Sequence, residues 1–224
     1  MGSVTLLDLV QNVLATGLAD QVNSIGDTQE ALAVANIVRN SYFMVLNERN
    51  DYTFNRNTFQ LDSLADPTTP TIFSIPQNVT VIQFFKYNRK QTNDDQERFE
   101  DLIQLELSDF LTETYLRSSK DDNVEQMSFN LNKFLIYNDR PPTYFTTIDD
   151  QYILCDSYNK SIENTLMSSK TILYATIKMP WLFTDDFVPT MPDHMVEIVL
   201  HTSIAAYAQL RGEDNKMSEI FLEI

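Results

Sequence analysis

Apolar residues recur at helical spacing along the first part of the chain. Between Val4 and Leu18 they fall where one face of a helix with 3.6 residues per turn would place them: Leu6, Leu7, Leu9, Val10, Val13, Leu14 and Leu18. Thr5 and Asp8 have the spacing of a capping box, and Ser3 is the alternative cap. The pattern predicts a helix over Val4–Leu18.

A second helical stripe begins after a polar break. Asp27, with Glu30 three residues later, has the form of a helix start, and the pattern predicts a helix over Asp27–Asn47. Two amphipathic helices of this kind become stable when their apolar faces pack on each other and on a further element. The apolar stripe consists of Ala31, Ala35, Val38, Tyr42 and Val45, widened by Leu32, Val34 and Leu46.

From residue 51 to residue 189 the pattern changes to short runs rich in β-branched and aromatic residues. Both alternating sets of positions in Thr171–Lys178 are apolar, which is typical of a central strand. One helix is expected among the strands, with Ser108 as its cap and Leu116 as its end. The predicted strands are Val79–Tyr87, Leu102–Leu107, Gln126–Leu131, Lys133–Tyr137, Thr143–Ile148, Tyr152–Asp156 and Thr171–Lys178.

The stretch from Lys133 to Tyr158 forms the centre of this β-rich region. Turn residues at Asn138–Pro142 and at Asp149–Asp150 divide it into the strands of an antiparallel meander. Two prolines fall in the first connection, where no ladder N–H is needed. The residues expected in the core of the meander are Tyr152, Ile153 and Leu154.

Less regular segments connect these elements, and Pro and polar turn residues mark them. They are an extended segment over Asn50–Pro76, a polar surface loop over Asn88–Asp101 with a helical turn at Gln96–Asp101, a segment of helical bias over Asn159–Ser169 and a crossing segment over Met179–Pro192.

Asp193 is the expected cap of a last helix, in which Met195, Val199, Thr202, Ala206 and Gln209 or Leu210 follow helical spacing. Gly212 interrupts this helix before a second apolar cluster. An apolar end of this kind indicates docking on a partner or a chain that continues. The second cluster consists of Met217, Ile220, Phe221, Leu222 and Ile224.

Together these elements predict an α+β fold in two parts. The N-terminal helix pair and the C-terminal helix bundle together, using residues 1–50 with 190–224. Residues 51–189 form a central antiparallel β-sheet domain with one embedded helix.

Charge narrows the classes of partner. The 16 Lys and Arg residues face 32 Asp and Glu residues, a formal net charge of −16. Such a balance opposes tight binding to nucleic-acid phosphates and to anionic membranes, which needs clustered cations. The sequence also has no secretory signal pattern and no apolar run of membrane-spanning length, so we expect a soluble, intracellular product that does not bind membranes.

Histidine, cysteine and glycine offer little chemistry. His194 and His201 lie seven positions apart on one predicted helix, about 10–11 Å, which is too far for both to bind one zinc ion. The lone Cys155 falls in a strand and has no cysteine to pair with, which fits a reducing compartment. The four glycines form neither a phosphate-binding loop nor a nucleophile elbow.

Acidic residues occur as neighbouring pairs in predicted turns. Paired carboxylates can serve as acid and base or hold Mg²⁺, but in turns they are more often solvated turn formers. We therefore expect no catalytic residue, no metal and no cofactor, and a protein that is not an enzyme. The pairs are Asp94-Asp95, Asp121-Asp122, Asp149-Asp150 and Asp185-Asp186.

A series of short blocks between Val4 and about Arg211 resembles one family of phage proteins. The blocks read TLLDLVQNVL, VNSIGDT, FQLDSLADPTTPTIFSIP, YNDRPPTYFTTIDDQYILCDSY, NTLMSSKTILYATIK and FTDDFVPTMPDH. They are similar to the head-to-tail connector adaptors of short-tailed (podovirus) phages, the tail tubular protein A-like proteins. The family's segment beyond the closing helix, which engages the portal, has no counterpart before Ile224. The mode of portal attachment therefore stays open.

The resemblance implies a structural protein of the virion, made in the host cytoplasm and placed at the head–tail interface. About twelve copies would form a closed ring through head-to-tail contacts. The ring would join the portal protein to the tail nozzle, and viral DNA would pass through its lumen without specific binding. Alternatives are another phage tail or baseplate assembly module and a soluble hydrolase that uses two acids.

Overall fold

The computed structural model describes residues 4–48, 52–90 and 96–212. The class is α+β, as predicted. The helices are α1, Leu6–Thr16; α2, Gln29–Asn47; α3, Leu107–Tyr115; and α4, Asp193–Leu210. The strands are β1, Arg56–Phe59; β2, Asp62–Ser63; β3, Ile72–Ser74; β4, Val79–Asn88; β5, Phe99–Asp101; β6, Ile103–Gln104; β7, Val124–Phe129; β8, Asn132–Tyr137; β9, Tyr144–Ile148; β10, Tyr152–Cys155; and β11, Thr171–Ile177.

Contacts divide the chain into a helical unit, Met1–Phe54 with Met179–Ile224, and a β-rich unit, Asn55–Lys178. The sequence-based boundary at 189/190 lies later than the one found at 178/179. The reason is that Met179–Pro189 carries side chains that pack with the helices. The Trp181 ring lies 5.0 Å from the Tyr42 ring of α2. The backbone N–H of Leu6 in α1 donates to the carbonyl of Phe187 at 2.7 Å.

In the helical unit, α1 begins with the capping box that its sequence predicts. The Thr5 hydroxyl accepts from the Asp8 N–H at 3.2 Å, and the Asp8 carboxylate accepts from the Thr5 N–H at 2.9 Å. The cap of α2 is Thr28 and not Asp27, because the Asp27 carboxylate is taken up by the N–H groups of the turn before it. The helices α1, α2 and α4 contact one another.

The start of α4 also differs by one residue from the prediction, since Pro192 is its cap and Asp193 its first residue. Met195 and Val199 are buried, as their spacing predicts. The second apolar cluster, Met217–Ile224, lies outside the described residues. In the described ranges, no helix combines the length and the apolar content needed to cross a bilayer.

The β-rich unit contains a four-stranded sheet, a five-stranded sheet and a hairpin. The four-stranded sheet has the order β1-β11-β4-β5 and is antiparallel, and β11 has a neighbour on each side as predicted for a central strand. The five-stranded sheet has the order β2-β3-β10-β9-β6. Its β6–β9 pair is parallel, whereas its other strand pairs are antiparallel, as predicted for this domain.

Phenylalanine side chains hold the core of this unit together. The Phe85 ring on β4 lies 6.0 Å from Phe73 on β3 and 5.3 Å from Phe145 on β9, both in edge-to-face geometry. The α3 residue Phe110 packs in the same way on Phe134 of β8. Ile153 and Leu154 are fully buried in this core, whereas Tyr152 is only partly buried.

The predicted meander is split between two sheets. Strands β9 and β10 pair as a hairpin, but β8 pairs with β7 and not with β9. Pro141 and Pro142 cannot donate to a ladder, and the N–H groups of Thr143 and Tyr144 donate to the Asp156 carboxylate at 2.9 Å each. The first N–H groups of β9 are therefore hydrogen-bonded to a side chain and not to β8. Strand β8 pairs with β7 instead.

Other bounds differ where polar sequence hid a strand. The predicted loop ends in β5, because Glu100 pairs with Arg89 at 2.8 Å and with Arg98 at 2.7 Å beside the long strand β4. Of Leu102–Leu107 only β6 is a strand, and α3 starts behind Glu106, ahead of the expected cap Ser108. The helical turn expected at Gln96–Asp101 is wrong, because Phe99–Asp101 forms β5.

In three further segments the secondary structure differs from the prediction. Asn50–Pro76 contains the short strands β1, β2 and β3 and is not merely extended. Strand β7 starts at Val124 and stops at Phe129, so Asn130 and Leu131 form its turn. The helical bias of Asn159–Ser169 yields a short 3-10 turn at Ser168–Lys170.

Candidate functional site: assembly surfaces

The two histidines and the cysteine lie on different secondary-structure elements. His194 and His201 are exposed on α4, whereas Cys155 is fully buried at the end of β10. Burial raises the pKa of the Cys155 thiol well above its ordinary value, with the Asp156 charge adding to the effect, so this thiol is inert. Within residues 4–48, 52–90 and 96–212, no three His, Cys, Asp or Glu side chains form a metal-binding group.

The acidic pairs have local roles. Asp121 and Asp122 are exposed in a turn. The carboxylate of Asp185 accepts from the Ser24 hydroxyl at 3.2 Å and from the Ile25 N–H at 2.8 Å. Asp149 and Asp150 form the β9–β10 connection, and both have positive φ. The pair Asp94-Asp95 lies outside the described residues.

Sequence reasoning missed the most important carboxylate, Asp156. Its side chain is 6% exposed and lies 2.9 Å from a guanidinium nitrogen of Arg117, which is also 6% exposed. Its other oxygen accepts the N–H groups that open β9. The two residues are 39 positions apart, so no local pattern links them.

Arg117 also donates to two backbone carbonyls. It donates to Leu135 of β8 at 3.0 Å and to the Asp156 carbonyl at 2.6 Å, and its guanidinium lies 4.2 Å from the centre of the Tyr137 ring. The ion pair therefore joins the end of α3 to β8, β9 and β10. We call Arg117 and Asp156 the pin.

A second buried acid, Glu163, also has its negative charge balanced by a cation inside the β-rich unit. The Tyr87 hydroxyl donates to its Oε1 at 2.8 Å, and Lys170 Nζ lies 3.2 Å from its Oε2 as an ion pair without hydrogen-bond geometry. Burial, followed by the Glu163 charge, raises the pKa of Tyr87, which keeps this phenol protonated as the donor. This cluster stabilises the core.

The first turn of the predicted meander is held by Glu125 of β7. Its carboxylate accepts from the Tyr158 hydroxyl at 2.7 Å, from the Asn138 amide at 3.0 Å and from Lys160. Partial burial raises the pKa of Glu125, but these three donors together lower it below the ordinary glutamate value.

Two hairpin turns lie side by side at one end of the β-rich unit. Asn130 and Leu131 form the two-residue turn between β7 and β8, with φ of 45° and 66°. The Asn130 amide donates to the Asp149 carboxylate of the β9–β10 turn at 2.8 Å. We call Asn130, Leu131, Asp149 and Asp150 the tip.

Leu131 is the unusual member of the tip. A turn with positive φ at both central residues favours Asn-Gly, and a leucine in the left-handed region costs roughly 1–2 kcal/mol. The Leu131 side chain is fully exposed, so packing within the chain does not offset that cost. Strain of this kind concentrates at functional positions.

An exposed aromatic and cationic surface covers the outer side of α2. The Arg39 guanidinium lies 5.5 Å from the Phe43 ring and 5.9 Å from the Phe183 ring. Leu32, Met44 and Phe183 are about half exposed, at 47%, 54% and 45%. We call these five residues the α2 platform. Among the described residues, no carboxylate forms an ion pair with Arg39.

The pin predicts a strong difference between two arginines that contact the same ring. Arg117→Met leaves the Asp156 carboxylate buried without its cation and should lower the free energy of unfolding by about 3–5 kcal/mol. Arg140→Met is the matched control, because Arg140 also lies over Tyr137 but is half exposed and pairs with Asp139, a pair worth about 0–1 kcal/mol. Urea unfolding measures both, and equal losses would contradict the assignment.

The Glu125 network predicts a pH-dependent contribution to stability. Because the folded pKa is lowered, the ionised carboxylate stabilises the protein above the ordinary pKa of glutamate, and this contribution is lost as the pH falls through the lowered folded value. The stability difference between wild type and Glu125→Gln should therefore shrink in acid, and Tyr158→Phe should show the same trend to a smaller extent. Urea unfolding at several pH values would refute this if the difference stays constant.

Strain at the tip predicts a substitution that stabilises. Leu131→Gly should raise the free energy of unfolding by about 0.5–1 kcal/mol, since glycine adopts positive φ without a Cβ clash. Leu116→Gly is the control, because Leu116 is also exposed but has φ of −69°, where glycine costs about 0.5–1 kcal/mol. Thermal and urea unfolding compare the two, and a destabilised Leu131→Gly would show that this leucine supports the fold.

The remaining observation comes from comparison with known proteins. No protein-family model matches the chain, and no curated protein matches it.

Proposed function

We propose that the protein is a ring-forming adaptor of a short-tailed phage virion, which joins the portal to the tail nozzle and encloses the DNA channel. The sequence blocks between Val4 and Arg211 resemble this family. Two exposed surfaces, the tip and the α2 platform, support a role in assembly. The α2 platform is the stronger support of the two.

Its composition is that of an interaction hot spot. Aromatic residues, Met and Arg are enriched at protein interfaces, and a few of them dominate the binding energy. The platform combines Arg39 with the rings of Phe43 and Phe183 that its guanidinium contacts, and α2 adds the exposed apolar side chain of Met44. A protein that works by assembly needs such a surface on every copy.

The buried acids favour assembly over hydrolysis. A hydrolase needs acids that reach a substrate, whereas Asp156 and Glu163 each have a cation beside them and further donors inside the core. Their charges are used to hold elements together.

The acidic balance fits a conduit for DNA. With a net charge of −16, carboxylates that face the lumen would repel phosphates and let the genome slide past. A ring whose inner wall is basic or apolar, with the acids on its outer surface, would refute this part of the proposal.

The location of the protein in the virion tests the proposal. A short peptide tag inserted between Ser119 and Lys120, in an exposed turn, should be tolerated and can be labelled with gold in purified virions. Negative-stain microscopy should show the label at the junction of head and tail, and untagged virions are the control. A label at the distal tail would instead support another tail or baseplate module, and virions without the protein would contradict a virion role altogether.

A further inference from the structure

We infer that the tip of one copy docks on the α2 platform of a second copy, with Leu131 entering the aromatic surface and Asp150 facing Arg39. The inference rests on the proposed ring and names the contact that would build it. The two surfaces are found by independent observations, namely backbone strain at the tip and an exposed cation on aromatic rings.

Leu131 is the first observation. Folding gains nothing from a fully exposed leucine at φ 66°, yet the Asn130-Leu131 turn holds it there. The turn is well supported, since the Phe129 ring of β7 and the Tyr152 ring of β10 pack 5.1 Å apart just behind it. In addition, the Asn130 amide donates to the Asp149 carboxylate. A rigid support that presents one apolar side chain is suited to insertion into a partner.

Arg39 is the second observation. In a chain with twice as many acids as bases, this exposed guanidinium lies on two phenylalanine rings and has no carboxylate partner in the described ranges. An arginine held over aromatic rings keeps its outward N–H donors available for a carboxylate. The platform thus fits an apolar side chain flanked by acids.

Charge complementarity favours the tip as the surface that docks on the α2 platform. The tip is apolar and acidic, and the platform is apolar and basic, so the two complement each other. Another apolar groove of the helical unit, lined by Leu9, Val188 and Val196, carries Asp193 and Glu197 and would repel the tip. The occupant of the platform is therefore the tip of a second copy. Since the two surfaces differ, the contact is heterologous and can close into a ring.

Cysteine cross-linking in assembled virions tests the contact. The doubly substituted chain Leu131→Cys with Met44→Cys, treated with a short bis-maleimide, should give a ladder of covalently joined copies on a denaturing gel. Each single variant is a control and should give no ladder, and native Cys155 stays silent because it is buried. Monomers alone, or a link formed within one chain, would overturn the inference.

Charge exchange gives a second readout that does not need cross-linking. Arg39→Glu and Asp150→Lys should each lower the yield of tailed virions about tenfold, and the double exchange should restore it. Asp122→Lys, at another exposed acid of the β-rich unit, should have no effect. Equal defects in the single and double exchanges, with soluble and folded protein in every case, would contradict the pairing.

Leu131→Gly separates docking from folding. This variant is expected to fold at least as well as the wild type, so a loss of tailed virions must come from the contact. Normal assembly with Leu131→Gly would show that the leucine does not dock. If the protein is found at the head–tail junction but no ladder forms, this contact fails and the adaptor role stands. If virions lack the protein, the proposed function fails as well.

Discussion

The β-rich unit depends on the buried ion pair between Arg117 and Asp156. Taking both charges out of water costs several kcal/mol each, and only close geometry with further hydrogen bonds offsets that cost. The pair meets this demand by using backbone groups of β8, β9 and β10 as partners. The hydrogen bonds of the ion pair can form only where β8, β9 and β10 come together, and the side chains of the core pack around that point.

The position of the tip follows from that arrangement. The pin fixes where β8 leaves its hairpin and where β9 enters the five-stranded sheet, at the ends of these strands opposite the turns. The turns themselves are then joined by Asn130 and Asp149. A strained leucine can persist at the tip because the surrounding structure determines its backbone. The tip and the pin therefore lie at opposite ends of β8 and β9.

Periodicity predicted the parts of the fold whose signals are local. The spacing of Leu6 to Leu14 and of Ala31 to Val45 predicted their helices. Of the two caps that the sequence allowed for α1, Thr5 and Ser3, the structure has Thr5. The two-sided apolar pattern of Thr171–Lys178 correctly placed β11 inside a sheet. Local patterns of this kind carry their information within one or two turns of chain.

Long-range pairing was not predictable in the same way. Strand β5 was hidden because Glu100 and its arginine partners look like loop residues until β4 lies beside them. Asp156 looked like the end of a strand, since its partner Arg117 is 39 positions away. Of the tip, the sequence identified Asp149-Asp150 as a turn, but it assigned Leu131 to a strand, where an apolar residue is ordinary. The positive φ and the full exposure of Leu131 identify it instead as a candidate contact residue.

A reconstruction of the head–tail junction by electron cryomicroscopy tests the central claim most directly. The account predicts a closed ring of this fold between portal and nozzle, with Leu131 of each copy against Arg39 and Phe43 of the next. A ring in which these residues face solvent would contradict the contact. A junction built without this fold would contradict the account as a whole.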